Sequence, residues 1–330
     1  MCYLKWVGVD VSKDKLDISI FDGKLHIMHQ VANDKKAITD FFKKLVSVSD
    51  THVIMEATGI YHVILFSKLI DLGYSVSVVN PLSIKRYSQM KLSRVKTDKA
   101  DARIIAEYGK NQKPSLSKLP PPDQIAIADK LRAIDSFLTI ITMLNNKIHA
   151  LQRSGIGDKS VIKEYNRQIN FMRRSIKRLE EQIDNLVTKN YQESYDLLLK
   201  IPGIGPRASS LIIAFFGKYE NFETAKQVVG FVGLNPNPRE SGTSVRRSSN
   251  ISKKGNPYIR KILYEAALAA SIYNPDCAEL YERLLSKGVH KSKCRLEVAH
   301  KMLRQTFGVL KNGRDWIPHY HKNRIQQEIY

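Results

Sequence analysis

Asp10, Glu56, Asp98 and Asp101 are the side chains of this sequence best able to do chemistry together. Asp98 and Asp101 stand three apart in the run Lys96-Thr97-Asp98-Lys99-Ala100-Asp101-Ala102-Arg103. Residues 100–106 are strong helix formers, with Thr97 as the expected N-cap. On a helix that spacing puts both carboxylates on one face. Like charges so close call for a cation, and an all-oxygen donor set suits Mg²⁺ or Mn²⁺. Lys96, Lys99 and Arg103 are the competing neutralisers, because a salt-bridged first turn is what acids at a helix N-terminus ordinarily make. Asp10 and Glu56 each end a short apolar run. If those runs are adjacent parallel strands, both acids sit at the carboxyl edge, where open α/β sheets bind ligands. A helix after the last strand could bring Asp98 and Asp101 over the same edge. Asp14, Asp17 and Glu107 compete for such a role. Asp17 lies on an alternating strand and reads as facing solvent; Glu107 lies near the far end of the helix.

A second candidate chemistry is phosphate binding. In Ile201-Pro202-Gly203-Ile204-Gly205-Pro206-Arg207, Gly203 and Gly205 let the chain turn into a helix. Its N–H groups, with Arg207, suit a DNA backbone in the manner of a helix-hairpin-helix module; a plain helix–helix turn is the equal alternative. Residues 239–261 hold seven basic residues against one acid, among them Arg246, Arg247, Lys253 and Lys254, interleaved with serines. That mixture suits phosphate contacts. Ser241 precedes Gly242 in this stretch. It has no nearby histidine, so a hydrolase triad is not supported. A serine can still attack phosphate where basic groups and a metal stabilise the charge. Spacing alone does not separate Ser241 from Ser244 or Ser248.

The elements that position these residues follow from pattern. Strands are expected at 6–11, 16–21 and 25–31, with Asp22-Gly23 as a hairpin turn. A helix follows at 37–46, a strand at 51–56, a helix at 59–72 and a strand at 74–79. Residues 113–122 carry four prolines and read as a linker. Between 123 and 201 there is no proline. Leu131, Ile134, Leu138, Ile141 and Ile148, then Ile162, Tyr165, Ile169, Met172, Ile176, Leu179, Ile183 and Leu186, mark a coiled-coil seam broken at Gly155 and Gly157. A long antiparallel helical hairpin is expected, and the seam is a dimerisation candidate.

The net charge of +21 points to a polyanionic partner, with nucleic acid foremost. No apolar run is long enough to span a membrane and no signal-peptide pattern opens the chain. Cys2, Cys277 and Cys294 form neither a disulfide framework nor a zinc site, so a cytoplasmic setting is expected.

Six short motifs in order resemble the DEDD transposases of the IS-one-ten insertion-sequence family and the related Piv/MooV DNA invertases. They include Gly8-Val9-Asp10-Val11-Ser12-Lys13, Met55-Glu56-Ala57-Thr58-Gly59, Lys96-Thr97-Asp98-Lys99-Ala100-Asp101, Ile201-Pro202-Gly203-Ile204-Gly205, Gly233-Leu234-Asn235-Pro236 with Glu240-Ser241-Gly242, and Ile251-Ser252-Lys253-Lys254-Gly255-Asn256. The resemblance covers nearly the whole chain. It implies an α/β RNase H/RuvC-like catalytic domain at 1–112 and a linker at 113–122. A coiled-coil helical hairpin would follow at 123–198. A mainly α-helical transposase domain at 199–330 would then carry the helix-hairpin-helix-like element, the serine loop and a basic tail. It further implies that Asp10, Glu56, Asp98 and Asp101 bind Mg²⁺ or Mn²⁺ and that Ser241 forms a phosphoserine link. A structured guide RNA and a homo-oligomer, dimer or tetramer, are implied as well. The loop Pro236-Asn237-Pro238-Arg239 departs from the family's usual pattern. Two rivals keep the same residues: a junction-resolving nuclease using water, and a non-enzymatic DNA- or RNA-binding protein. An actin-like ATPase is disfavoured, because no later Gly-rich phosphate loop follows the first strand.

Overall fold

The structure is a computed structural model of the chain and describes residues 5–45, 47–57, 59–91, 98–155, 157–241, 245–251 and 255–320; the side chains of 98, 99, 236–241 and 245–250 lie outside the described part. The chain forms two compact units, Met1–Pro120 and Pro121–Tyr330.

In the first unit, β1 (Lys5–Val11), β2 (Lys15–Phe21) and β3 (His26–Ala32) form an antiparallel meander. Then come α1 (Lys35–Lys44), β4 (Thr51–Glu56), α2 (His62–Asp71), β5 (Ser75–Val79), α3 (Pro81–Met90) and α4 (Asp98–Gln112). The sheet order is β3-β2-β1-β4-β5, with β1, β4 and β5 parallel. This mixed five-stranded arrangement is consistent with an RNase H-like α/β domain. Alternation along the strands makes two faces. On one, Val7, Val9, Leu16, Ile18, Val53 and Met55 pack against Ile38 and Phe42 of α1 and Leu65 and Leu69 of α2. On the other, Trp6 and Ile54 meet Ile84 and Tyr87 of α3 and Ile104 and Ile105 of α4. Each fully buried aliphatic side chain contributes about 1.5–3 kcal/mol.

Two local features differ from the sequence reading. α3 was not expected; Pro81 opens it and the Asn80 side chain accepts from Leu82 N at 2.9 Å, an N-cap with proline in the first turn. Asp17 does not face solvent: it is 3% exposed. The alternation was real, but helices cover both faces of the sheet. The expected N-cap Thr97 lies outside the described residues.

His52 on β4 is buried, with Nε2 2.8 Å from Ser77 Oγ on β5. Ser77 Oγ is also 2.8 Å from Ser115 O, and Val78 N donates to Ser117 Oγ, so the proline-rich segment is tied to the sheet edge. Burial pushes the His52 pKa down to about 4. The folded value lies below the unfolded one, so stability held at neutral pH is lost as pH falls from about 6.5 towards 4. The expected loss is at most about 3 kcal/mol, reduced to roughly 2 by residual screening. Urea melts at several pH values should show this slope, and His52→Gln should lack that part of it.

The second unit is mostly helical. α5 (Pro122–Arg153) and α6 (Lys159–Leu199) pack on each other, burying Ile141, Leu144 and Ile148 with Ile169 and Met172. The seam residue Leu138 is instead 37% exposed. Tyr191, at φ −139°, kinks α6. α7 (Pro206–Phe216), α8 (Ala225–Val232), β6 (Pro236–Ser241), β7 (Val245–Ile251), α9 (Pro257–Tyr273), α10 (Pro275–Ser286) and α11 (Lys291–Asn312) follow. The helices share one core, which includes Leu211, Ile212, Val228, Leu263, Ala267, Val298 and Met302.

Candidate active site

β1 and β4 are parallel neighbours with Val9 opposite Met55, so Asp10 and Glu56 are the next residues along two adjacent strands. Both are half-buried at the carboxyl edge. α4 lies across this edge because two glycines admit it. A Cβ on Gly8 would fall 2.2 Å from Ala102 O and 2.3 Å from Ala106 N, both backbone atoms of α4. A Cβ on Gly109 would fall 2.2 Å from Ile54 Cδ1. Helix and strand therefore touch backbone to backbone, two residues before Asp10. Asp101, half-buried in the first turn of α4, is carried over the same edge. Asp98 opens α4; its side chain is among those not described.

The electrostatics agree with this proximity. Burial, and then the charge of Asp101, hold the Glu56 pKa above the usual carboxylate range. Asp10 and Asp101 each take part in interactions with their surroundings. Among the described residues, no three His, Cys, Asp or Glu side chains form a ready-made metal cluster. Glu107, one of the competing acids, is committed elsewhere: it pairs with Lys91 and lies 3.4 Å from His26 Nε2.

Gly8→Ala is expected to destabilise the protein by about 2–4 kcal/mol, since neither clashing atom is a side chain that could swing away. A urea titration checks this; a loss under 1 kcal/mol would contradict so close an approach.

In the second unit Ser241 is the last residue of β6 and pairs with Val245 of β7; the intervening 242–244 lie outside the described residues. The sequence marks this stretch as a loop, whereas residues 236–241 and 245–251 pair as a two-stranded ribbon with a bulge near Asn237. Its base is pinned. Arg260 Nη1 donates to Val232 O at 2.8 Å and to Gly255 O at 2.7 Å. Gly255 passes so near α8 that a Cβ would lie 2.0 Å from Phe231 O. Arg246 and Arg247 belong to β7, opposite Glu240 and Arg239, while Lys253 and Lys254 lie outside the described residues.

The two-glycine turn has a clear packing role. Gly203 has φ +95° and lies against α9, where a Cβ would be 2.5 Å from Ala270 Cβ. Gly205 is the N-cap of α7 with open space around it. Arg207 pairs with Asp135 at 3.1 Å and Glu265 at 3.7 Å, and Lys261 joins Asp135 at 2.6 Å. Those cations hold α5, α7 and α9 together. Arg260 and Lys261 look like phosphate ligands in the sequence; Arg260 is instead bonded to Val232 O and the nearby Gly255 O, and Lys261 to Asp135, 126 residues away.

Two family models match the chain: an IS110-type DEDD transposase model over residues 7–154 and the transposase IS116/IS110/IS902 family over 195–282. Pilin gene-inverting proteins of Moraxella lacunata and Moraxella bovis are each 26% identical over 325 residues, covering 96% of this chain and 99% of theirs. The transposase for insertion sequence element IS1111A of Coxiella burnetii is 24% identical, covering 81% of this chain and 78% of its own. Taken with the mixed sheet and its acidic edge, the two matched segments show that this chain belongs to the IS116/IS110/IS902 family of insertion-sequence transposases.

Proposed function

We propose that this protein cuts and rejoins DNA strands at the ends of an insertion sequence, by phosphoryl transfer that depends on a divalent metal and uses Ser241 as nucleophile. The observation that carries the reading is the shared edge: Asp10 and Glu56 lie at the carboxyl ends of adjacent strands, and the helix bearing Asp101 lies close enough to perturb Glu56. The donor set fits Mg²⁺ or Mn²⁺, being all carboxylate, and its mutual repulsion is what a bound cation relieves. Asp98, three residues before Asp101, is the proposed fourth ligand. A divalent cation there supplies Lewis-acid stabilisation of charge on the leaving oxygen and the phosphorane-like transition state.

The remaining work falls to the protein. Ser241 Oγ loses its proton and bonds to phosphorus as the bond to the 3′ oxygen breaks. That oxygen leaves as a hydroxyl, and the 5′ phosphate stays on serine. Attack by the freed hydroxyl of another strand reverses the step and rejoins the DNA. Arg246, Arg247, Lys253 and Lys254 are proposed to hold the phosphates, and the turn at Gly203, Gly205 and Arg207 to contact backbone elsewhere. The reaction requires Ser241 and the acids to work on one phosphodiester, within one chain or between copies of a homo-oligomer. Leu138, Ile140, Met143 and Phe171, exposed on α5 and α6, support self-association through a coiled coil. A structured RNA from the element's own end is the proposed guide, in keeping with the net charge of +21.

The test is incubation of the protein with element-end DNA, flanking RNA and Mg²⁺, followed by analysis of the ends. Cleavage that stops with EDTA and leaves protein on the 5′ end supports the reading. Free hydrolysed ends would make the protein a water-using nuclease, and metal-independent binding without breakage would make it a binder only.

A further inference from the structure

One more carboxylate lies in the same row of the sheet. Asp17 on β2 stands directly opposite Asp10, and Gln30 on β3 stands directly opposite Asp17. Residues so paired share a face, with Cβ atoms about 4.5–5.5 Å apart. It is the face that α4 covers, since Gly8, two residues before Asp10, is where the α4 backbone makes contact. Asp17 is 3% exposed, so water does not screen its charge as it would a surface acid's. Its carboxylate is held from two sides: Gln30 Nε2 donates to Oδ1 at 2.9 Å, and Lys15 Nζ lies 3.2 Å from Oδ2. Like charges directly opposite on a sheet are unfavourable. The neighbouring rung of the same two strands avoids the problem with Gly8 opposite Ser19.

We infer that Asp17 is a positioning residue for the acidic edge: a fixed, buried negative charge that acts through Asp10 to strengthen the hold on a divalent cation. Gln30 and Lys15 keep its carboxylate in place on the strand beside Asp10. The inference rests on the reading of Asp10, Glu56, Asp98 and Asp101 as the metal-holding set. It adds a residue that supplies field and packing, and its loss leaves the donor set intact.

The test is Mn²⁺ affinity of the full-length protein without nucleic acid, read from the free-ion electron paramagnetic resonance signal. Asp17→Asn keeps the shape and removes the charge, and is expected to weaken Mn²⁺ binding about tenfold, as changes behind a ligand shell do. Gln30→Leu, on the exposed side of the pair, frees the carboxylate from one of its two partners among the described residues and is expected to weaken binding roughly threefold at an unchanged melting temperature. Asp10→Asn, measured alongside, should remove the site. If Asp10→Asn removes Mn²⁺ binding while both other variants bind like the parent, the role of Asp17 is overturned and the metal site stands. If Asp10→Asn itself changes nothing, the metal reading fails, and the inference with it. Should Asp17→Asn fail to fold, Gln30→Leu decides alone: weakened binding upholds the role and parental binding overturns it.

Discussion

Asp10→Asn is expected to slow DNA strand cleavage by about a thousandfold or more while leaving DNA binding within about twofold. The magnitude comes from transition-state charge: a metal held by carboxylates supplies several kcal/mol, and about 4 kcal/mol corresponds to a factor near a thousand. Asn has the same shape but lacks the negative charge with which a carboxylate holds a hard cation. The fold should survive, because Val7, Val9 and Val11 anchor β1 from the opposite face and are at most 3% exposed. A melting curve matching the parent, a gel shift with element-end DNA, and a cleavage time course in Mg²⁺ together isolate the effect. Cleavage within tenfold of the parent would remove Asp10 from the chemistry.

Ser241→Ala should have an effect at least as large on covalent chemistry, with no effect on metal binding. Losing a nucleophile outright costs on the order of a millionfold where no substitute acts. The adduct between protein and DNA should vanish, and with it rejoining. DNA binding should persist, because the ribbon that carries Ser241 is fixed at its base by Arg260 and Gly255 and not by the serine. Mn²⁺ affinity should equal the parent's, since the acids belong to the other unit. This pairing of outcomes distinguishes the two variants: Asp10→Asn loses the metal together with cleavage, whereas Ser241→Ala loses cleavage, adduct and rejoining but keeps the metal. An adduct that persists in the Ala variant would assign the attack to another residue, and Ser244 or Ser248 would be the first to replace.

How much of this was legible beforehand differs by element. The edge acids were readable because a short apolar run ending in Asp or Glu fixes both strand and edge, and the 3.6-residue period of α4 set Ala102 and Ile105 inward. The burial of Asp17 was not readable. Alternation says which residues share a face, but whether that face meets water depends on α3 and α4, and the approach of α4 rests on single glycines at positions 8 and 109. α3 was missed because ten residues with a modest apolar stripe look like a loop unless the Asn-Pro start is weighed. The ribbon of β6 and β7 was hidden by its composition: Pro236 and Pro238 read as loop residues, and prolines are confined to edge strands. Among the basic residues, charge marked candidates but not commitments. Arg207 and Lys261 share Asp135, a partner on α5 that no local pattern links to them.

The most direct test of the account is to trap the reaction with element-end DNA, guide RNA and Mg²⁺, digest the protein with trypsin and sequence the peptide that carries nucleotide. Cleavage after Arg239 and Arg246 would release residues 240–246. The account predicts a nucleotide bonded to Ser241 in that peptide, formed only when metal is present and absent from Asp10→Asn. A modified residue elsewhere in the chain, or strand cleavage with no modified peptide at all, would contradict it.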